Sequence, residues 1–488
     1  MIKLGALFPD AKLAASDAAR AVTCLTGDSR SVVPGSVFFA MPGSKAHGLA
    51  YAASAVAQGA VAIVAETDPG MGLGQAALVL TRDVRSALAH AAALLHPRQP
   101  ATIVAVTGTS GKTSIAAFVR QIWTRLGHQA ASIGTLGVMA PSGEKYGSLT
   151  TPDPVTLHES MAQLAAEGIT HLVMEASSHG LDQRRLDGVR LAAGAFTNLS
   201  RDHLDYHGNF EVYLAAKLRL FELLLRPGQP AVIDADSEAA AAVIAACQAR
   251  SLQVLTTGVR GQDLMIIESR PEGFATRLTL AHRGKDNQKV EYRLRLPLAG
   301  LFQVSNALVA AGLCIATGCD AATVIAALEH LVGAPGRLEH VGAHERGQIF
   351  IDYAHKPDAL AKTLEALRPF VRKSLIVVFG CGGDRDPGKR AIMGEIATRC
   401  ADVVIVTDDN PRSEDPASIR RAILAQAPHA LEIGDRAEAI RRAIRMLSED
   451  DLLLIAGKGH ETGQIVGTSI LPFSDHDVVA NVLKELKK

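Results

Sequence analysis

The 488-residue sequence has no excess of charge of either sign, because its 50 lysine and arginine residues equal its 50 aspartate and glutamate residues in number. Such a balance gives no electrostatic surface for nucleic acid or for an anionic membrane. Long apolar runs are also missing: stretches such as DLLLIAG at 451–457 are far shorter than the roughly 20 residues that cross a bilayer. We therefore expect no nucleic-acid partner and no membrane segment.

Paired cysteines and a secretion signal are absent as well. The six cysteines form no C-x-x-C motif, and the N-terminus MIKLGALFPD lacks the apolar core of a signal peptide. Cysteines in a long chain without such a signal are typical of a reducing compartment. We expect a cytoplasmic protein that is a monomer.

Strand-like and helix-like segments alternate along most of the chain, which is typical of parallel sheets covered by helices. The segments FATRLTLAHRG and KVEYRLRLPL alternate instead like an antiparallel pair of strands. Proline and glycine clusters in HPRQP and VGAPGRLE mark two boundaries. We predict an α/β protein with three domains: a small N-terminal α/β domain at 1–98, a central domain with a mostly parallel sheet at 99–332, and a Rossmann-like domain at 333–488.

The segment VAVTGTSGKTS at 104–114 resembles a phosphate-binding loop, although Val106 occupies the position of the first glycine in G-x-x-x-x-G-K-[ST]. An apolar strand is predicted before it at 102–107, and helical periodicity begins after Thr113. In that setting backbone N–H groups hold an anion, Lys112 reaches the terminal phosphates and the Thr113 hydroxyl binds Mg²⁺. ATP or GTP binding is favoured over a glycine-rich turn with an incidental lysine.

Polar residues follow the next two apolar strands, HLVMEA and AAGAFTN, at the end where open parallel sheets bind their ligands. Glu175 ends the first strand, His203 lies in a loop after the second, and Lys217 follows on a predicted helix. Taken singly, such a histidine is usually structural and such a lysine extends to solvent. Next to a phosphate loop, Glu175 and His203 become the candidate metal ligands.

Several segments, in order and over nearly the whole chain, resemble the Mur ligase family: TGTSGKTS, MEASSHGLDQRR, TNLSRDHLDYHG, YLAAKLRLF, DYAHKPDAL, GCGGDRDPGKR, DDNPRSEDP and AGKGHE. The phosphate loop of that family is similar to G-T-[NS]-G-K-[ST], so Val106 fits a variant loop. The resemblance implies three domains that bind a UDP-sugar peptide, ATP and an amino acid. It implies the ATP- and Mg²⁺-dependent addition of meso-2,6-diaminopimelate to the D-glutamate side chain of UDP-MurNAc-L-Ala-D-Glu through an acyl phosphate. This step belongs to peptidoglycan synthesis, on which cell-wall biogenesis, cell shape and cell division depend.

The resemblance also implies a role for residues in each domain. The implied catalytic residues are Lys112, Glu175, His203 and Lys217; a carbamate on Lys217 (N6-carboxylysine) would join Thr113, Glu175 and His203 as a metal ligand. The implied ATP-binding residues are Gly108, Thr109, Ser110, Gly111, Lys112, Thr113, Ser114, Asn306, Arg337 and Asp352. The implied UDP-substrate residues are Gly27, Ser29, Ser44, Lys45, Ala46, Thr150, Thr151, Ser177, Gln183 and Arg185. The implied diaminopimelate residues are Arg385, Asp409, Asn410, Pro411, Arg412, Gly457 and Glu461.

The resemblance implies that Arg412 determines which amino acid is added. By resemblance, an arginine in D-N-P-R accompanies the use of meso-diaminopimelate, whereas lysine-adding relatives lack it. Diaminopimelate differs from lysine by one carboxylate, which a guanidinium binds through two parallel hydrogen bonds. The alternative is a solvated turn residue.

Two positions depart from the family pattern: His47 stands where an acidic residue is common, and Leu149 where an asparagine is common. Both fall on the UDP-substrate side. Two other classes stay open. Another amide ligase, such as a folylpolyglutamate synthetase or a different Mur ligase, would lack the DDNPR and GGDRD segments. A non-catalytic nucleotide-binding module would have no reason to combine Lys112 and Lys217 with two metal ligands.

Overall fold

The computed structural model describes residues 2–43, 47–70, 72–147, 149–284, 287–345 and 347–486. The chain divides into two compact units, Met1–Thr257 with Gly312–Asp320, and Gly258–Ala311 with Ala321–Lys488. Helices and strands alternate in both units, which confirms the predicted α/β class. Within the ranges given, no helix is both long enough and apolar enough to cross a membrane.

A four-stranded parallel sheet forms the N-terminal part of the first unit. In chain order the elements are β1 Ile2–Lys3, α1 Leu4–Leu7, α2 Ala15–Ala18, β2 Ala21–Val22, β3 Cys24–Thr26, β4 Ser36–Phe39, α3 Ala52–Ala57, β5 Ala62–Ala65, β6 Ala77–Leu80 and α4 Val84–Leu95. The strand order is β3-β4-β5-β6, and each neighbouring pair is parallel. Strands β4 and β5 are buried along their whole length, as expected where helices cover both faces of a sheet.

A larger sheet follows in the same unit. Its elements are β7 Thr102–Thr107, α5 Lys112–Arg125, β8 Ala130–Gly134, β9 Gly137–Ala140, β10 Gly143–Lys145, α6 Pro154–Ala166, β11 His171–Glu175, α7 Ser178–Asp182, β12 Ala193–Phe196, α8 Leu204–His207, α9 Phe210–Arg219, β13 Pro230–Asp234, α10 Ala240–Ala249 and β14 Gln253–Gly258. The order is β10-β9-β8-β11-β7-β12-β13-β14. The strands from β8 to β14 in this order are parallel, and β9 and β10 are antiparallel additions.

The register of this sheet aligns three strand ends. Glu175 pairs with Val106, and Phe196 pairs with Thr107. The loop that leaves β7 therefore lies between the loops that leave β11 and β12. The predicted strand at 102–107 and the helix after the glycine-rich turn are both confirmed.

Helix starts in this unit are set by local capping signals. The Asp153 carboxylate accepts hydrogen bonds from the backbone N–H groups of Val155 and Thr156, and Pro154 occupies the first turn of α6. The apolar face of α6 then packs through Leu157 into the same buried cluster as Ile103 of β7. A cap and an apolar stripe thus place this helix on the sheet.

The rest of the chain contains three antiparallel strands, a six-stranded sheet and a two-stranded antiparallel sheet. The elements are β15 Leu264–Glu272, β16 Ala275–Arg283, β17 Lys289–Leu296, α11 Leu301–Ala316, α12 Ala321–Ala327, β18 Glu339–His344, β19 Gly347–Asp352, α13 Pro357–Leu367, β20 Leu375–Phe379, α14 Gly388–Cys400, β21 Val403–Val406, α15 Pro416–Leu424, β22 Leu431–Glu432, α16 Arg436–Met446, β23 Leu452–Ala456, β24 Gly463–Val466, β25 Ser469–Pro472 and α17 Asp475–Leu486. Strands β15, β16 and β17 are antiparallel neighbours, which confirms the predicted antiparallel pair.

The six-stranded sheet has the order β18-β19-β23-β20-β21-β22, with β18 as the one antiparallel strand. Side chains of successive residues point to opposite faces of the sheet and pack into two separate hydrophobic clusters. Leu454 packs in one cluster with Phe379, and Ile455 packs in the other with Val378. Helices cover both faces, as the predicted Rossmann-like arrangement requires. The carboxyl ends of β23, β20 and β21 lie side by side.

Candidate active site

The phosphate-loop segment is a tight turn between β7 and α5. Gly108 and Gly111 have φ values of 148° and 90°. A Cβ at Gly108 would overlap the Thr197 hydroxyl, so a larger residue would not fit there. The Thr197 hydroxyl donates to the Ser110 carbonyl at 2.7 Å, and the Ser110 N–H donates to Asn198 Oδ1 at 3.0 Å. The segment after β12 therefore fixes the shape of the loop.

Two predicted catalytic lysines meet at one carbonyl oxygen of this loop. Lys112 Nζ donates to Gly108 O at 2.8 Å, and Lys217 Nζ donates to the same oxygen at 2.9 Å. The Lys217 side chain is buried, with 1% of the residue exposed. Residues far apart in the sequence are thus brought together at the end of β7.

Tyr213, which the sequence reasoning did not single out, joins helix α9 to the same loop. The Lys217 ammonium lies 4.2 Å from the centroid of the Tyr213 ring, and the Tyr213 hydroxyl lies 3.1 Å from Thr109 Oγ1. Burial raises the pKa of Tyr213 well above its usual value, so the ring stays a neutral phenol. The signal available in the sequence was an aromatic residue four positions before a lysine on a helix, which places both on one face.

Glu175 is the buried acid of this site, with 2% of the residue exposed. Its Oε2 accepts from the Thr113 hydroxyl at 3.1 Å, and its Oε1 accepts from the Thr135 backbone N–H at 2.8 Å. A Cβ at Gly134 would collide with this carboxylate. The structure therefore joins Thr113 to Glu175 and adds Thr135, which the sequence reasoning missed.

His203 precedes a single helical turn, Leu204–His207, where the sequence suggested a loop. Its Nε2 lies 3.2 Å from an Asp202 carboxylate oxygen, and its ring meets the His179 ring edge-on at 4.7 Å. Burial lowers the pKa of His179 and of His207. His179 and His207 are thus held toward their neutral forms.

The donor set fits Mg²⁺ only in part. The Thr113 hydroxyl and the Glu175 carboxylate are oxygen donors of the kind that Mg²⁺ prefers, and they are in contact. Across the ranges that the structure describes, no group of three or more histidine, cysteine, aspartate and glutamate side chains is arranged to hold a metal ion. Lys217 could add a ligand here only after its ammonium is converted to a carboxylate.

Four of the predicted UDP-substrate residues form one hydrogen-bonded group beside Glu175. The Thr151 hydroxyl donates to the Glu175 carbonyl at 2.8 Å and lies 3.0 Å from the Ser177 hydroxyl. Arg185 donates to the Thr151 carbonyl at 2.6 Å and to Gln183 Oε1 at 2.7 Å. The structure thus gathers this part of the predicted set at the ends of β11 and its neighbours.

The other predicted UDP-substrate residues do not belong to this hydrogen-bonded group, and three of them lie outside the described residues. The Thr150 hydroxyl lies 3.1 Å from the Thr135 hydroxyl, and Ser29 opens a short 3₁₀ turn in the N-terminal part. Gly27 lies against Met41. The remaining three predicted residues lie outside the described residues: Ser44, Lys45 and Ala46.

His47, at a position where the family resemblance led us to expect an acidic residue, acts as a local cap. Its Nδ1 accepts a hydrogen bond from the Leu49 N–H at 3.2 Å. A carboxylate in the same position would make the same bond, so this substitution keeps the turn. The next residue, Gly48, approaches the Ala40 backbone so closely that a Cβ would clash.

The other three predicted ATP residues lie in the second unit. The buried Asp352 carboxylate accepts two backbone hydrogen bonds, the shorter from Leu338 N–H at 2.6 Å, and burial raises the pKa of this group. Asn306 Nδ2 donates to Gln303 Oε1 at 3.1 Å, and Gln303 Nε2 donates to the Arg337 carbonyl at 3.0 Å. Asn306 and Arg337 are therefore linked through one glutamine.

The loop after β21, which carries D-N-P-R, is held against β24. The Arg412 N–H donates to Ile465 O at 3.0 Å, and the Gly467 N–H donates to Arg412 O at 2.7 Å. The Arg412 guanidinium donates through Nη1 to Gly383 O at 2.8 Å. Arg385, from the neighbouring loop after β20, is exposed to solvent.

Asn410 and Glu461 meet across two strand ends. Asn410 Nδ2 donates to Glu461 Oε2 at 3.0 Å, and the buried Lys458 donates to Asn410 Oδ1 at 2.9 Å. A Cβ at Gly457 would lie 2.6 Å from Asp409 Oδ2, so the glycine leaves room for this acid. The structure thus gathers most of the predicted diaminopimelate residues, including the buried Pro411, and adds Lys458 from the same AGKGHE segment.

Comparison with known proteins gives three matches to family descriptions along the chain. Residues 21–99 match "Mur ligase family, catalytic domain", 106–314 match "Mur ligase middle domain", and 336–459 match "Mur ligase, glutamate ligase domain". The matches follow one another in order and together cover most of the chain.

Individual relatives extend over the same length. A protein of Bradyrhizobium diazoefficiens named UDP-N-acetylmuramoyl-L-alanyl-D-glutamate--2,6-diaminopimelate ligase is 59% identical, with 97% of each chain covered. A solved structure with the same name is 31% identical, covers 100% of this chain and 99% of its own, and has a TM-score of 0.72. A folylpolyglutamate synthase of Mycobacterium tuberculosis complexed with ADP shares the fold at 20% identity and a TM-score of 0.61, covering 76% of this chain and 91% of its own. The chain therefore belongs to the Mur ligase family.

Proposed function

We propose that this protein is an ATP-dependent ligase that adds meso-2,6-diaminopimelate to the D-glutamate side-chain carboxylate of UDP-MurNAc-L-Ala-D-Glu. The observation that carries the proposal is the full-length 59% identity to a relative named for this reaction. The arginine of D-N-P-R, at the carboxyl end of a parallel strand, agrees with it. The reaction belongs to peptidoglycan precursor synthesis, on which cell shape and division depend.

The chemistry explains why ATP is needed. A carboxylate is inert to an amine, so one carboxylate oxygen attacks the γ-phosphorus of ATP and ADP leaves, which forms an acyl phosphate. The amine of diaminopimelate then attacks the acyl carbon, loses a proton and expels inorganic phosphate from the tetrahedral intermediate. Catalysis of this kind depends on positioning and on neutralising charge. The ADP-bound relative with the same fold supports the use of ATP.

We assign the phosphates to the loop from Gly108 to Ser114. The N-terminus of α5 supplies backbone N–H groups, and Lys112 supplies the charge that balances the transferred phosphoryl group. Asn306, Arg337 and Asp352 of the second unit are further residues that we propose to bind ATP. The assignment agrees with the turn geometry of the two glycines.

Thr113, Glu175, His203 and a carbamylated Lys217 are the proposed magnesium-binding residues. Bound Mg²⁺ would neutralise phosphate charge and orient the phosphoryl group. Lys217 forms its carbamate when its neutral amine attacks CO₂ and releases a proton, which turns a cation into an anion. The carbamate would replace repulsion between Lys217 and Lys112 by attraction. An unmodified lysine bound to a phosphate oxygen is the alternative.

We place the UDP-substrate near Gly27, Ser29 and the segment at 44–46, with its peptide end at the group formed by Thr151, Ser177, Gln183 and Arg185. Diaminopimelate would contact Arg385, Gly457, Glu461 and the loop at 409–412. Domain boundaries at 1–98, 99–332 and 333–488 are proposed with these roles, and the three family matches at 21–99, 106–314 and 336–459 support them. We further propose that the protein is a monomer in the cytoplasm, where its small polar substrates would be dissolved.

The test is ADP release measured with UDP-MurNAc-L-Ala-D-Glu and a panel of amino acids. We expect release to require both the UDP-substrate and meso-diaminopimelate, with L-lysine a poor replacement. A folylpolyglutamate synthetase would instead respond to a folate and glutamate. A non-catalytic module would release no ADP with any combination.

A further inference from the structure

We infer that Lys458 is a positioning residue for the incoming amino acid, because it holds the side chains of Asn410 and Glu461 in place. This inference rests on the proposed function, in which Asn410 and Glu461 contact diaminopimelate. Lys458 itself belongs to no proposed binding set.

Lys458 is an unusual lysine, because none of its surface is exposed. A buried ammonium is costly unless it is paired and hydrogen-bonded. Here Nζ donates to Asn410 Oδ1 at 2.9 Å and to Glu461 Oε2 at 3.2 Å. Asn410 Nδ2 donates to the same Glu461 oxygen at 3.0 Å, so the three side chains form a closed triangle.

The triangle determines which way the Asn410 amide faces. Its Oδ1 accepts from the Lys458 ammonium and from the Ile465 backbone N–H at 2.9 Å. A flipped amide would place its NH₂ group against both donors and would lose both bonds. Lys458 therefore keeps Nδ2 directed at Glu461.

The Glu461 carboxylate is hydrogen-bonded through one oxygen, and its side chain is partly exposed to solvent. Its Oε2 takes the bonds from Lys458 and Asn410, and its side chain is 31% exposed. A carboxylate anchored in this way presents Oε1 in one orientation, which suits the ammonium group of an amino acid. Without Lys458, Oε2 would keep only the hydrogen bond from Asn410, whose amide orientation Lys458 itself helps to fix.

The position of Lys458 in the sheet explains why a lysine is needed. Lys458 follows β23 and Asn410 follows β21, and β20 lies between these strands. Strands two places apart are separated by roughly 10 Å. A long flexible cation can bridge two such loops, and a short side chain could not.

The decisive variant is Lys458→Met, which removes the ammonium and keeps an unbranched apolar stem. We expect the KM for meso-diaminopimelate to rise about tenfold or more. The KM values for ATP and for UDP-MurNAc-L-Ala-D-Glu should change less than about twofold, because Lys458 acts only through the amino-acid residues. Adding Glu461→Gln to Lys458→Met should raise the KM for meso-diaminopimelate little further, since both changes disable one unit.

Lys484→Met serves as the matched control, because Lys484 is an exposed lysine of α17 in the same unit. If Lys458→Met does not fold, Lys458→Arg keeps the charge and displaces the nitrogen atoms, and the same selective rise in KM is expected. Equal increases for all three substrates, an unchanged KM for meso-diaminopimelate, or additive effects with Glu461→Gln would overturn the inference. If the native protein does not use meso-diaminopimelate, the proposed function fails, and that result is obtained before any variant is compared.

Discussion

Lys217 Nζ lies 2.9 Å from the carbonyl oxygen of Gly108, the same atom that accepts a hydrogen bond from Lys112. This contact attaches helix α9 to the phosphate loop through residues 109 positions apart. Two cations at one acceptor repel each other, so a change of charge at one lysine changes the electrostatic energy of the other.

Replacement of Lys112 by alanine should lower ADP release by roughly a hundredfold or more, because the charge on the transferred phosphoryl group loses its counterion. The fold should persist, since Lys112 is only partly buried. Activity and the circular dichroism spectrum should be measured together, with the exposed Lys145→Ala as the control. Near-normal ADP release by Lys112→Ala would show that ATP binds elsewhere.

Carbamylation of Lys217 should make activity depend on CO₂. We expect native activity to fall in buffer stripped of CO₂ and to return when bicarbonate is added. In ¹³C-labelled bicarbonate, the native protein should show a carbamate NMR signal that is absent from Lys217→Ala. Full activity of Lys217→Ala in the stripped buffer would refute the assignment.

Arg412 should control the discrimination between meso-diaminopimelate and L-lysine. Loss of a charge-assisted carboxylate pair costs about 2–3 kcal/mol, so Arg412→Ala should lower kcat/KM for meso-diaminopimelate on the order of a hundredfold. The value for L-lysine should change little, because lysine has no second carboxylate. Arg421→Ala, on the exposed side of α15, is the control. An unchanged ratio of the two kcat/KM values would contradict the role.

His158 should make the protein less stable in acid. The residue is fully buried, and burial lowers its pKa from 6.5 to about 4. The unfolded chain therefore binds a proton at a higher pH than the folded chain, and stability is lost as the pH falls from 6.5 toward about 4. The loss amounts to about 3 kcal/mol at the low end of this window.

His158→Leu tests this expectation, because it removes the titrating ring and keeps a buried apolar group. Urea unfolding at a series of pH values should show a flatter dependence than in the native protein. His429→Gln, at an exposed position, should leave the slope unchanged. An identical slope for His158→Leu would assign the acid sensitivity to other groups.

Replacing Arg436 alone should lower the free energy of unfolding more than replacing Arg436 and Asp475 together. Both side chains are 0% exposed and are joined by two hydrogen bonds of 2.8 Å. Arg436→Met leaves a buried carboxylate without a partner and should cost about 3–5 kcal/mol. Arg436→Met with Asp475→Leu should recover much of that loss. The urea concentration at the midpoint of unfolding measures the stability of the single and the double variant. Arg441→Ala, in the more exposed ion pair with Glu485, is the control. A double variant less stable than Arg436→Met would contradict the prediction.

Local signals in the sequence predicted much of the framework. The apolar run at 102–107 and the Gly-Lys-Thr that follows it predicted a strand, a turn and a helix, all of which the structure contains. The alternation of FATRLTLAHRG and KVEYRLRLPL predicted an antiparallel pair of strands, which the structure also contains. These predictions succeed because apolar periodicity and turn-forming residues act over a few positions of the chain.

Residues that act through neighbours were harder to find. Tyr213, Thr135 and Lys458 each support a predicted site residue. Tyr213 and Lys458 belong to segments that resemble the family, and Thr135 does not. Their contacts depend on which strand ends are adjacent, and sheet order is not encoded in any single stretch of sequence. Resemblance to a family supplied most of the other candidate residues, and their roles stay predictions.

The sequence by itself determined the family, the α/β class and the chemistry available at the phosphate loop, because these depend on residue types at short spacings. Only the tertiary structure decided that Lys112 and Lys217 share one carbonyl oxygen and that Thr113 meets Glu175. The register of β7 between β11 and β12 places their following loops at one edge. Contacts of this kind arise from sheet packing over long separations in the chain, and no local pattern specifies them.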